Sequence, residues 1–193
     1  MSKSFVHLHA HTEYSMLDGA AKIDDYLDRV KELNQPGAAI TDHGNLYGAL
    51  EFYHSALKKK LIPIIGYEAY VINDSRFDRP DRENNKRYHL TLLAENTVGY
   101  WNLVKMASKA FTEGYYYKPR VDYELLKDHS EGIIALSGCL GGEISQFLAP
   151  DGSVEEGNQE GERSFSKALE KARFYQSIFG ENNFYIELHN HGI

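Results

Sequence analysis

Residues 37–70 read GAAITDHGNLYGALEFYHSALKKKLIPIIGYEAY, and this stretch decides the fold class. Gly37–Thr41 is an apolar run of strand length, Tyr47–Lys59 spaces Leu50, Tyr53 and Leu57 at helical intervals, and Ile62–Tyr70 is strand-like again. Strand, helix, strand is a βα unit. Working outward, Ser4–His9 precedes it as a strand, and Tyr88–Ala94, Gly132–Ser137 and Phe184–Leu188 follow as others. Helical spacing recurs in Ala21–Leu33, where Ile23, Tyr26, Leu27 and Val30 share a face, and in Tyr100–Phe111 and Ser164–Ile178. The alternation runs through the chain without a break in composition or an internal repeat. It predicts one α/β domain on a parallel sheet or barrel, with Asp151–Glu162 as an acidic surface loop.

Composition narrows the function. The 193 residues are 42% hydrophobic and 25% charged, which suits a domain with a real core. A net charge of −7 is the wrong sign for holding nucleic acid by bulk electrostatics, so any phosphate handled here needs locally placed cations. The single cysteine, Cys139, makes no internal disulfide, and the N-terminus has no apolar stretch resembling a signal peptide. No apolar run approaches membrane-spanning length. A cytoplasmic protein without membrane contact is expected.

In α/β folds, sites gather where strands end. His7, His9 and His11 alternate along the first run, which predicts three imidazoles on one face, and an H-x-H pair at a strand end suits metal chelation. Asp18 follows in the next loop, Asp42-His43-Gly44 closes the second run, Glu68 lies in the third, His89 in the fourth and Cys139 after the fifth. Singly, each has a plain role as a cap, a core polar group, an ion-pair partner or a small hydrophobe. Together they form a mixed imidazole, carboxylate and thiolate set suited to Zn, Mn or Fe. With more than one ion, phosphoester hydrolysis is the natural chemistry, because charge builds on phosphoryl oxygens and a water must be activated at neutral pH.

HLHAHTEYSMLDGA at 7–20, TDHGNLYGALEFY at 41–53, PIIGYEAY at 63–70, HLTLLAEN at 89–96, GYYYKPRVD at 114–122 and SGCLGGE at 137–143 resemble the polymerase and histidinol phosphatase (PHP) domain. H-x-H and T-D-H-G fit any member. The Met-Leu-Asp-Gly-Ala, Tyr-Tyr-Lys-Pro-Arg and Ser-Gly-Cys-Leu-Gly-Gly-Glu segments resemble the branch at the N-terminus of bacterial replicative DNA polymerase III alpha subunits. The resemblance implies a PHP domain over residues 1–193, a distorted (β/α)7 barrel holding two to three divalent ions. It implies His9, His11, Asp18, His43, Glu68, His89 and Cys139 as ligands, the first five also serving catalysis. It further implies a 3′–5′ exonuclease acting on the DNA primer 3′ end in the full-length protein, alongside the remaining polymerase domains and replisome subunits.

The family's closing Asp-x-His pair has no counterpart before Ile193, so the chain is expected to stop about one βα unit short, with an incomplete last metal site and exposed sheet edges. The H-x-H at 189–191 is read as a decoy, since the polymerase branch carries E-L-x-[DN]-H-G there without using it as a ligand. Lys118 and Arg120 are the candidate phosphate contacts, against a plain role in a solvated loop. Tyr115, Tyr116 and Tyr117 either stack on a terminal base or pack their loop. Two other readings stay open, a stand-alone phosphoesterase on a small phosphate and a structural module of the polymerase.

Overall fold

The computed structural model describes residues 5–16, 18–81, 84–149 and 164–189. In chain order the elements are α1 (Ile23–Glu32), β1 (Gly37–Ile40), α2 (Ala49–Lys58), β2 (Ile62–Ile72), β3 (Tyr88–Ala94), α3 (Thr97–Thr112), β4 (Arg120–Asp122), α4 (Tyr123–Asp128), β5 (Ile133–Leu136), α5 (Glu143–Leu148), α6 (Phe165–Phe179) and β6 (Phe184–Tyr185). The predicted loop at 151–162 lies outside the described residues, as do Ser4, Asn190 and His191.

The six strands form one mixed sheet in the order β1-β2-β3-β5-β6, with β4 paired to the far half of β2. This corrects the expectation of a parallel sheet. β1 and β4 run parallel to β2, and β6 to β5, but β3 is antiparallel to both β2 and β5. Parallel return normally needs a crossover helix, and residues 73–87 contain no α-helix among those described. The predicted first strand is also absent as a regular strand. Residues 5–11 lie beside β1 as an irregular segment with a bend at His9, tied by Ala39 N to His7 O (3.2 Å) and Thr41 N to Ala10 O (2.9 Å).

Side-chain alternation divides the sheet into two faces. Tyr67, Ala69 and Val71 of β2, Leu90 and Leu92 of β3, and Ile133 and Ala135 of β5 pack against α3, α4 and α6 in the largest core cluster. Ala38 and Ile40 pack under α1 and α2. The opposite face carries a small apolar layer of Ala39, Ile64, Leu93, Ile134 and Leu136. Glu68, His89 and Thr91 share its alternation phase, so the polar groups of interest sit on the face away from the main helices.

α2 turns a different stripe inward from the one its spacing suggested. Ala49, Phe52 and Ala56 are buried, while Leu50, Tyr53 and Leu57 are exposed. Both stripes are apolar at helical spacing, so periodicity does not choose between them. Two of the inward residues are alanines, which let the helix lie close to the sheet.

Candidate metal centre

Glu68 is the hub. Its side chain is 1% exposed, on β2 opposite Thr91 of β3. His9 Nε2 lies 3.3 Å from Glu68 Oε2, His11 Nε2 3.0 Å and His43 Nδ1 3.1 Å, while His89 Nδ1 is 2.9 Å from Oε1. Cys139 Sγ stands 3.7 Å from Glu68 Oε1 and 3.5 Å from His89 Nδ1. Asp18 pairs with His43 Nε2. All seven expected residues are thus brought to one place from separate parts of the sequence.

Each arrives for a local reason. His43 follows β1 and continues its parallel pairing with β2 through Gly44 N to Glu68 O (2.8 Å) and Glu68 N to Asp42 O (3.0 Å). Gly44 has φ +66, and a Cβ there would lie 2.8 Å from Pro119 and 2.9 Å from Tyr70, so this turn requires glycine. Asp42 is a scaffold residue: its buried carboxylate accepts from Thr12 N (2.6 Å), Thr12 Oγ1 (2.7 Å) and Ser15 Oγ (2.7 Å). It thereby fixes the turn after His11. The 137–142 loop wraps His89, with His89 N donating to Gly141 O (2.9 Å), and so delivers Cys139.

Electrostatics follow from burial and crowding. Burial favours a neutral Glu68, but the imidazoles of His11, His89 and His9 outweigh it and hold its carboxyl below the ordinary value. Burial pushes His9 and His89 down, yet Glu187 with Glu68 raises His9 to about 10, and Cys139 with Glu68 raises His89 to about 9. Burial lowers His43, against the pull of Glu68.

The donor set fits divalent transition metals. Glu68 Oε2 and His43 Nδ1 are buried with no hydrogen-bond partner, although three imidazole nitrogens crowd that oxygen within 3.3 Å. The contacts are close, but no N–H is aimed along them. Orphaned buried groups are costly, and converging lone pairs are what a cation satisfies. Donors from His9, His11 and Glu68, from His43, Glu68 and His89, and from His11, Asp18 and His43 form three overlapping groups able to hold an ion.

Two expectations fail. Arg120 is 1% exposed, and its Nε donates to the carbonyl of Gly114 (2.9 Å) and its Nη2 to those of Arg76 (2.9 Å) and Asp78 (2.7 Å), so its side chain is built into the protein and is not presented to a phosphate at the surface. His7 is exposed against Phe5 and does not join His9 and His11, because the irregular first segment breaks the alternation. Lys118 does stand near the centre. Its Nζ lies 5.3 Å from the centroid of the Tyr70 ring, which packs on His43 (5.8 Å) and His89 (5.4 Å). Tyr116 packs its loop through a bond to Pro80 O (2.9 Å), Tyr115 stacks on Phe111, and Tyr117 is exposed.

The structure adds residues the sequence reading set aside. Glu187 Oε1 accepts from His9 Nδ1 (2.8 Å) and His189 Nε2 (2.6 Å), and Thr91 Oγ1 lies 3.2 Å from the same His9 nitrogen. Of the H-x-H read as a decoy, His189 contacts Glu187, and with His9 and Glu187 it makes a fourth group of donors close enough together to hold an ion. The available signal was position, since Glu187 lies in the last apolar run, 184–188, as Glu68 lies in the third and His89 in the fourth.

The sequence matches the PHP domain family over residues 7–191. The chain belongs to the PHP family. It is 50% identical to DNA polymerase III subunit alpha of Thermus aquaticus over 98% of its length, 47% identical to that of Helicobacter pylori over 100%, and 45% identical to that of Deinococcus radiodurans over 99%. The chain spans about 15% of the length of the first two. Solved structures match only in part. An amidohydrolase from Chromobacterium violaceum aligns over 54% of this PHP chain and 32% of its own, at 22% identity and TM-score 0.40, so the assignment rests on the sequence relatives.

Proposed function

We propose that this PHP domain, spanning residues 1–193, belongs to a bacterial replicative DNA polymerase III alpha subunit and hydrolyses phosphodiesters at a primer 3′ end. Its six-stranded sheet is read as part of the distorted (β/α)7 barrel. One observation carries the metal-dependent reading: a buried carboxylate, Glu68, is ringed by His9, His11, His43, His89 and Cys139, and its Oε2 has no hydrogen bond. The identity of the relatives supplies the polymerase.

In this reading His9, His11, Asp18, His43, Glu68, His89 and Cys139 hold two to three Zn, Mn or Fe ions. When bound, the ions supply Lewis acidity at the phosphoryl group and activate water at neutral pH. Glu68 keeps a negative charge at the hub, and the stacked rings of His11 and His43, 4.1 Å apart, limit how each can turn. Lys118, above Tyr70, provides a point charge for a non-reacting phosphate. The acidic chain offers DNA little else, so grip on the duplex falls to the rest of the polymerase.

The test uses the full-length polymerase. Metal-dependent removal of nucleotides from a primer 3′ end is expected to vanish in Glu68→Gln while primer extension persists. Unchanged removal in the variant, or rapid hydrolysis of histidinol phosphate with no action on DNA ends, overturns the assignment.

A further inference from the structure

Glu187 lies outside the expected ligand set, yet it touches a member of it. The segment before β1 and the segment after β6 belong to opposite ends of the sheet order, and they meet where His9 contacts Glu187. The contact is well enclosed, with side-chain exposures of 9% for His9 and 13% for Glu187. Glu187 is itself anchored, its backbone N donating to Ser137 Oγ (2.9 Å), while Ser137 N donates to Tyr185 O (3.0 Å).

Each nitrogen of His9 faces a carboxylate, and a neutral imidazole has one N–H to give. The two contacts are not equivalent. Nδ1 makes a hydrogen bond of 2.8 Å to Glu187, whereas Nε2 stands 3.3 Å from a Glu68 oxygen that has no hydrogen bond at all. When the ring is neutral, as ligation requires, the proton therefore belongs on Nδ1, and the Nε2 lone pair faces Glu68, His11 and the centre.

We infer that Glu187 is a positioning residue of the metal centre, selecting the Nδ1–H tautomer of His9 and fixing the ring so that Nε2 is the ligating atom. This rests on the metal-centre reading above. Metal-binding histidines commonly give their other N–H to a carboxylate, which orients the ring and makes the ligating nitrogen more basic. Thr91 Oγ1, 3.2 Å from the same Nδ1, steadies the ring from β3. His189 Nε2, at 2.6 Å, bonds the same Glu187 Oε1 that faces His9, which holds that oxygen in place between the two rings, while Glu187 Oε2 is buried without a hydrogen bond.

The test compares the 193-residue chain with Glu187→Ala and Glu187→Gln, using zinc affinity by chelator competition and histidine tautomers by long-range proton–nitrogen NMR of the zinc-loaded forms. Circular dichroism reports folding. Glu187→Ala is expected to weaken zinc binding by about ten- to a hundredfold and to lose the fixed Nδ1–H signature of His9. Glu187→Gln, whose amide oxygen still accepts from Nδ1–H, keeps the signature and most of the affinity. Wild-type affinity and an intact signature in Glu187→Ala overturn this inference alone. Complete loss of one ion in both variants, with the signature intact, makes Glu187 a direct ligand and also overturns it. A wild-type chain that takes up no zinc removes the metal-centre reading together with the inference.

Discussion

Strand β2 runs through two buried charged clusters built on opposite principles. Just past its C-terminal end, Arg76 Nη1 donates to both oxygens of Asp122 (3.0 and 3.1 Å) and Nε to Glu113 (2.7 Å). Asp122 also accepts from the backbone of Arg76 (2.9 Å) and caps α4 through Leu125 N (3.0 Å), while Arg120 gives its donors to carbonyls. None of these side chains keeps an orphaned buried atom. Around Glu68, in the same strand, the carboxylate Oε2 and His43 Nδ1 are both unpartnered. A fully paired network rigidifies a fold, whereas one whose donors converge unpaired is completed from outside. Burial and charge alone do not separate a site from a staple; satisfaction does.

The sharpest way to break this comparison is to damage the paired cluster. Asp122→Ala leaves the Arg76 guanidinium buried without its main partner and removes the α4 cap, so a stability loss of about 3–5 kcal/mol is expected in urea unfolding. Zinc bound per folded molecule should stay unchanged. A variant of wild-type stability, or one that loses zinc while still folded, would show that the clusters are not the separate devices their bonding indicates.

The same contrast explains what was legible beforehand. Residues at the ends of apolar runs, such as His43 and Cys139, were readable because the βα pattern brings strand ends together and few roles suit such residue types there. α1, α3 and α6 were readable from spacing to within a few residues at each end. Arg120 was misplaced because sequence does not show whether a cation near a strand faces solvent or caps carbonyls. β4 and α4 escaped notice because three- and six-residue elements are too short for periodicity to register. The antiparallel entry of β3 was invisible for a different reason: a run of apolar residues carries no direction.

Protonation offers a second, smaller test. In the ion-free protein His9 is raised to about 10 and His89 to about 9, because their carboxylate and thiol neighbours outweigh burial. Both carry protons at pH 7.5, and an imidazole must be neutral to ligate. Zinc uptake at that pH should release at least two protons, from these two rings, with more wherever the Cys139 thiol also ligates, read by calorimetry in buffers of different ionisation enthalpy, and affinity should fall as pH drops. The ion-free fold behaves inversely. Protonated His9 and His89 stabilise it fully below the unfolded value of 6.5, and that contribution is lost as pH rises through about 9 to 10. Uptake without proton release would mean that these two histidines stay charged beside the ions and are not ligands.

The smallest expected effect separates Lys118 from Arg120, two cations two residues apart that sequence treats alike. Lys118 is exposed above Tyr70 beside His43 and His89, while Arg120 is enclosed by three carbonyls. If the proposed function holds, Lys118→Ala in the full-length polymerase should raise KM for primer 3′-end hydrolysis about two- to fivefold, the worth of one exposed ion pair, and lower the salt dependence by about one phosphate contact. Stability should move by no more than about 0.5 kcal/mol, because no buried group loses a partner. Lys118→Arg should restore KM, since the contact needs charge and not a particular head group. Arg120→Ala should do the reverse, lowering the urea midpoint by stranding buried carbonyl oxygens while leaving KM of the folded fraction in place. If Arg120→Ala instead raised KM with stability intact, the loop would have to turn that guanidinium outward toward DNA, and the rule that satisfied donors are structural would fail at its clearest instance in this molecule.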